Sequence, residues 1–142
     1  MPDLSSETLH ASTVAIDGRA VLIEGRSGSG KSDLALRLID RGATLVSDDY
    51  TLVVRRDGAL RAKAPATIAG KMEVRGVGIV TMPTVEDVPV ALIVRLDGEV
   101  MRMPERRLRR VAGVGVREIA LDPFTASAAI KVELALRQDA PA

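Results

Sequence analysis

The chain has 142 residues, 46% of them hydrophobic, and a formal net charge of +1 from 20 basic and 19 acidic side chains. That length fits one domain with its own core, the composition excludes disorder, and the balanced charge argues against a protein held by bulk charge to nucleic acid or a membrane surface. With no cysteine, disulfide staples, thiol nucleophiles and zinc knuckles are excluded as well.

In chain order, the N-terminal MPDLSSETLHAS has neither the basic start nor the apolar stretch of a secretory signal. No run approaches the about 18 apolar residues of a membrane span, so a cytoplasmic location is expected by elimination. Residues 19–24 (RAVLIE) predict a short buried strand. A glycine-rich stretch over 25–30 ends it. Residues 31–41 predict a helix with Leu34, Ala35, Leu38 and Ile39 on one face and Gly42 as its C′ residue. Residues 44–46 begin a second strand that runs into Asp48 and Asp49. Residues 51–55 and 59–63 flank Arg56-Asp57-Gly58, a hairpin signal. The segment 74–82 is apolar but broken by Gly76 and Gly78, which predicts partial loop. Residues 88–96 predict a buried strand. Asp122 and Pro123 predict the N-cap and first residue of a closing helix over 124–137, with 138–142 fraying. The expected architecture is one α/β domain over residues 1–142 with a mixed sheet.

Residues 25–32 read GRSGSGKS, a full match to the phosphate-binding loop GxxxxGK[ST], set between an apolar strand and an amphipathic helix as that loop requires. Gly25, Gly28 and Gly30 let the backbone wrap closely enough to aim its N–H groups at phosphate oxygens, with Arg26, Ser27 and Ser29 completing the loop. The positive end of the following helix faces the same anion. Lys31 neutralises the β and γ phosphates, and Ser32 offers a hydroxyl to Mg²⁺. ATP and Mg²⁺ are the expected cofactors.

Ser47-Asp48-Asp49 has the form of an apolar strand ending in a metal-side acid. Adjacent acids in a regular strand face opposite sides, so both reach one site only where the strand is ending. If they converge, one acid holds the metal and the other accepts a proton from an attacking hydroxyl; the alternative is an acidic turn that only solvates the strand end. His10, the only histidine, carries no assignment by itself. Tyr50 and Phe124 are the only aromatic residues. A site that recognises bases by stacking has almost nothing to stack with, so single-strand nucleic-acid binding is disfavoured and base specificity is expected to be loose.

The run over residues 9–49 resembles the core of bacterial HPr kinase/phosphorylase: a histidine ahead of the loop strand, a loop like GxSGxGKS, and an acidic pair after a short spacing. MEVRGVGIV at 72–80 resembles the family signature EIRGxGII. The same core is shared more distantly with phosphoenolpyruvate carboxykinases. The resemblance implies an ATP- and Mg²⁺-dependent kinase acting on a serine of HPr, the small carrier protein of the phosphotransferase system. It implies that Lys31 and Ser32 bind phosphate and metal, that Asp48 is the base, and that Asp49 and Glu73 lie on the metal side. It places His10 near the phosphates and Arg75 as a phosphate-side partner. It also leaves room for a homo-oligomer, hexamers being usual in the family.

The chain departs from the family in two places. Full-length members carry a separate N-terminal domain, and little precedes His10 here. Where the family reads near PGRNLAxIIE this chain reads PFTASAAIKVE, without the arginine and asparagine tied there to dephosphorylation. The expectation is a short form that keeps kinase activity with weak or absent phosphorylase activity. The phosphate loop alone does not choose an acceptor, so a small-molecule kinase and a non-catalytic ATP-sensing domain stay open. Arg102, Arg106, Arg107, Arg109, Arg110 and Arg117 form a basic block, read as a solvated helix or loop face or as a docking surface for an acidic partner or ligand phosphates.

Overall fold

The computed structural model describes residues 5–139. Two strands that the patterning did not predict come first, β1 (Ser6–Leu9) and β2 (Ala11–Ile16). β3 (Arg19–Glu24) returns antiparallel to β2, and the glycine-rich loop leads into α1 (Lys31–Asp40). Past its end, Gly42 N–H bonds the Ile39 carbonyl and Ala43 N–H the Leu38 carbonyl, both at 3.0 Å, with Gly42 at φ 109°. The order continues β4 (Thr44–Ser47), β5 (Thr51–Arg56), β6 (Ala59–Lys63), β7 (Lys71–Val74), β8 (Gly78–Thr81), β9 (Val88–Arg95), β10 (Arg107–Val111), β11 (Val114–Ala120) and α2 (Ala128–Gln138).

Among the described residues, β1, β5, β6, β9, β3, β2 and β4 lie side by side in that order, with β11 joined to β9 and β10 to β11. The sheet divides at β9. Its first residues pair antiparallel with β6 and its last pair in parallel with β11, while its other edge runs parallel to β3. Glu24 sits opposite Arg95, and Arg95 opposite Ala120, so the loops after β3, β9 and β11 gather at one rim.

The curled sheet buries β3 on both faces. Ala20 and Leu22 join Val53, Leu60, Ala62 and Ile93 on one side. Val21 and Ile23 join Leu34, Leu38, Val132 and Leu136 beneath the helices on the other. A strand covered on both faces is continuously apolar, which is how residues 19–24 read. No helix among the described residues is long and apolar enough to cross a membrane.

Two expectations change and one gains a pairing. The segment 74–82, read as partly loop, holds a turn at 75–77 between β7 and β8, which pair as a separate two-stranded sheet. The closing helix starts at Ala128 after an Ser127 N-cap, because the Asp122 carboxylate accepts the Phe124 N–H at 2.9 Å and folds 122–125 into a turn instead. The basic block is mostly the β10–β11 hairpin, and four of its six arginines find partners within the chain: Arg109 with Glu24 and Glu118, Arg106 and Arg117 with Asp139, Arg110 with the Gly113 carbonyl. Gln138 closes α2. The fraying expected of 140–142 and the reading of residues 1–4 lie outside the described residues.

Candidate active site

β3 delivers the chain to the rim, and the phosphate loop folds back on itself there. A Cβ on Gly25 would lie 2.3 Å from Ser29 Oγ and 3.3 Å from Leu96 Cβ, so the loop closes only around glycine. The Ser29 N–H donates to the Arg26 carbonyl at 3.0 Å. Lys31, 5% exposed, begins α1 and turns back across the loop, its ammonium donating to the same carbonyl at 3.2 Å. Its Nζ also stands 3.5 Å from Asp49 Oδ1 and 3.3 Å from His10 Nε2.

The acidic pair converges because β4 ends just before it. Asp49 takes a left-handed φ of 68°, and the Tyr50 N–H returns to the Asp48 carbonyl at 2.8 Å. Aspartate tolerates this region better than most residues. Asp48, 7% exposed, accepts from the Ser32 hydroxyl at 2.6 Å, the Ser12 hydroxyl at 2.9 Å and the Glu73 N–H at 3.0 Å. Asp49 has a half-exposed side chain, and its Oδ1 lies 2.7 Å from His10 Nε2. With its hydrogen on Nε2, His10 donates to Asp49 and leaves Lys31 to the loop carbonyl. The Tyr50 ring stacks on the His10 imidazole at 4.8 Å and 15°, which holds that orientation.

The structure thus brings Lys31, Ser32, His10, Asp48 and Asp49 together. It does not assemble Ser32, Asp49 and Glu73 as one metal set, since the hydroxyl of Ser32 faces Asp48. Glu73 reaches the site through its main-chain N–H, and Arg75 lies exposed in the turn between β7 and β8. No group of three or more His, Asp or Glu side chains suited to a metal gathers among the described residues. Ser12 was missed by sequence reasoning. Fully buried on β2, it also accepts the Asp49 N–H at 3.0 Å and so ties both acids to the sheet. The signal available was a pair of hydroxyls, Ser12 and Thr13, opening an otherwise apolar run just after His10.

Behind the loop lies a charge cluster. Arg109 donates to Glu24 at 2.9 Å and to Glu118 at 2.6 Å, Glu24 being the residue just before Gly25. The hydrogen bond to Glu24 raises the Arg109 guanidinium above its ordinary value, burial opposing it and Glu118 adding to it. A cleft of about 580 Å³ opens beside β11, lined by Arg95, Met101, Met103, Arg106 and Glu118 and by no residue of the phosphate loop.

The donor set suits a magnesium nucleotide. Ser32 Oγ and the Asp48 carboxylate offer a hard ion two oxygen groups side by side. Ser29 Oγ is buried in the loop without a hydrogen-bond partner, a donor that the protein itself leaves unused.

A family model described as the HPr Serine kinase C-terminal domain matches residues 3–87, which include the loop, the acidic pair and the β7–β8 hairpin. The chain belongs to this family. The HPr kinase/phosphorylase of Clostridium tetani is 35% identical over 121 residues, covering 84% of this chain and 40% of that protein. That of Clostridium novyi is 46% identical over 81 residues, 56% of this chain and 26% of the relative. The chain therefore spans well under half the length of these relatives. Among solved structures, the Hpr(Ser) kinase/phosphatase from Coxiella burnetii superposes with a TM-score of 0.80 at 27% identity, covering 93% of this chain and 95% of that one. The mixed α/β fold with its curled sheet is the fold of that enzyme.

Proposed function

We propose that this domain transfers the γ-phosphoryl group of ATP to a serine hydroxyl on an HPr-like phosphocarrier protein. The observation that carries the proposal is the convergence of Lys31, Ser32, Asp48, Asp49 and His10 around the start of α1, in a chain of this family. The loop N–H groups, the helix terminus and Lys31 hold the triphosphate. Ser32 and Asp48 would hold Mg²⁺, which supplies neutralisation of the charge on the phosphate oxygens. In the transfer, a bond forms between the serine oxygen and the γ-phosphorus, the bond from that phosphorus to the β–γ bridging oxygen breaks with its electron pair leaving on ADP, and the serine proton passes to a carboxylate.

Which carboxylate takes that proton is a matter of access. Asp48 is buried and already accepts three hydrogen bonds, one of them from Ser32. Asp49 is open to solvent and faces Lys31 and His10. The geometry supports Asp49 as the proton acceptor and Asp48 as the metal-side acid, the reverse of the assignment the family resemblance implied. The changed 123–133 segment supports a kinase with little reverse, phosphate-dependent release of phosphate from phosphoserine.

The test is transfer of labelled γ-phosphate from ATP with Mg²⁺ to purified HPr, comparing wild type with Lys31→Ala, Asp48→Asn and Asp49→Asn. Labelled phosphoserine in wild type and none in Lys31→Ala is the expected result. Asp49→Asn should abolish transfer with little change in the Mg²⁺ requirement, and Asp48→Asn should raise that requirement. Nucleotide binding without transfer to HPr would move the assignment to a small-molecule acceptor or an ATP sensor.

A further inference from the structure

One of the two aromatic rings of this chain stands at the lip of the phosphate loop. Phe124 is 76% exposed. Its segment packs directly on Gly30: a Cβ there would lie 3.2 Å from Pro123 Cγ and 3.5 Å from Phe124 Cε1. The segment is fixed from two sides. The Asp122 carboxylate takes the Phe124 N–H at 2.9 Å, and the Arg37 guanidinium, reaching across from α1, donates to the carbonyls of Pro123 and Thr125. An exposed phenyl ring on a held backbone costs little further ordering when a flat ligand covers it.

The direction in which a bound triphosphate must run is set by the site. Lys31, Ser32, Asp48 and Asp49 mark its γ end, and the two acids lie at the end of β4, at the outer side of β2 from β3. The α-phosphate and nucleoside therefore leave toward the opposite side of β3, over the loops that follow β9 and β11. Phe124 is on the loop that follows β11.

We propose that Phe124 is the stacking platform for the base of the bound nucleoside triphosphate. This rests on the kinase reading above for the presence of a nucleotide, and it amends the expectation that a base has almost nothing to stack with. Every base has a π-face, so the platform adds affinity without reading hydrogen bonds, and purines stack on it better than pyrimidines. Loose base specificity and a base subsite are then compatible.

The experiment compares ATP with inorganic tripolyphosphate, which has the phosphates and no base. Affinities of both for the full chain with Mg²⁺ are measured by calorimetry, in wild type, Phe124→Ala and Phe124→Trp. Phe124→Ala should weaken ATP at least about fivefold and leave tripolyphosphate unchanged, while Phe124→Trp should bind ATP as tightly as wild type or more so. Because the chain has a single phenylalanine, ring-labelled protein gives one phenyl spin system, and it should shift upfield with ATP and not with tripolyphosphate. Equal weakening of both ligands would make the residue merely structural and overturn the proposal. So would unchanged ATP affinity in Phe124→Ala, whether accompanied by a higher KM for the acceptor protein, which would make the ring a docking contact, or by a loss of self-association. If tripolyphosphate and ATP both fail to bind wild type, the nucleotide-site reading itself fails; if tripolyphosphate binds and the ring does not respond to ATP, only the platform fails.

Discussion

The hydroxyl of Ser32 meets the carboxylate of Asp48 at 2.6 Å, joining the first turn of α1 to the end of β4. The contact sets the spacing between the phosphate loop and the acid proposed to share a metal with Ser32, so removing the hydroxyl has a defined consequence. Ser32→Ala should keep the fold, raise the Mg²⁺ concentration needed for half-maximal transfer, and lower kcat about 100-fold or more. Phosphotransfer assays over a Mg²⁺ titration check this. An unchanged Mg²⁺ dependence would remove Ser32 and Asp48 from the metal side.

Ser12 is the hinge between the two acids. Ser12→Ala leaves a buried Asp48 oxygen short of one donor and the Asp49 N–H without its acceptor. Stability should fall by about 1–3 kcal/mol, read from urea unfolding midpoints at constant m-value. Activity should fall as well, because Asp49 is no longer held toward His10 and Lys31. Ser12→Thr, which keeps the hydroxyl, should recover most of both.

Arg109 separates two carboxylates that would otherwise face each other behind the phosphate loop, and Glu118 is only 9% exposed. Arg109→Ala should cost about 1–3 kcal/mol, since it removes charge-assisted hydrogen bonds from both acids and leaves Glu118 only the Arg95 pair at 3.3 Å. Arg109→Lys should recover part of that, because an ammonium cannot serve both acids in the plane of a guanidinium. Thermal unfolding of the three proteins at one pH orders them. The same loss should appear in ATP affinity, given that Glu24 is covalently next to Gly25.

Asp139 anchors the end of α2 against Arg106 and Arg117. Burial pushes its carboxyl up, but the hydrogen bonds from the two arginines outweigh burial and hold it below the ordinary carboxylate range. A carboxyl depressed in the folded state contributes stability that is present above its unfolded value and lost as pH falls through the folded one. The stability difference between wild type and Asp139→Asn should therefore be constant near neutral pH, of order 0.5 kcal/mol, begin to shrink as pH falls below about 4, and vanish only below the depressed folded value. A difference that grows on acidification would mean that the pairs do not form.

Much of the site was legible because it is local. A strand, three glycines, a lysine and a serine within residues 19–32 specify a phosphate loop through backbone conformation and nearest neighbours, and β3 and α1 begin where the pattern puts them. The β5–β6 hairpin was legible for the same reason, Asp57 and Gly58 both taking positive φ. β2 was not, because its buried Ser12 and Thr13 break the apolar run; each is satisfied only by a residue more than 35 positions away, Asp48 and Thr51. β10 was not, because its arginines read as solvent-facing until Glu24 is seen to receive one of them across 85 positions.

By itself, the sequence determined that a phosphate-loop motif occupies residues 25–32 and that an acidic pair follows the next strand. Only the tertiary structure decided that Asp48 serves Ser32 while Asp49 serves Lys31 and His10, that Ser12 belongs to the site, and that Phe124 stands on its lip. A loop motif is written in dihedral preferences and spacing, which neighbouring residues carry. The side on which two adjacent carboxylates fall depends on where a strand stops and what packs against it, and those partners come from distant parts of the chain.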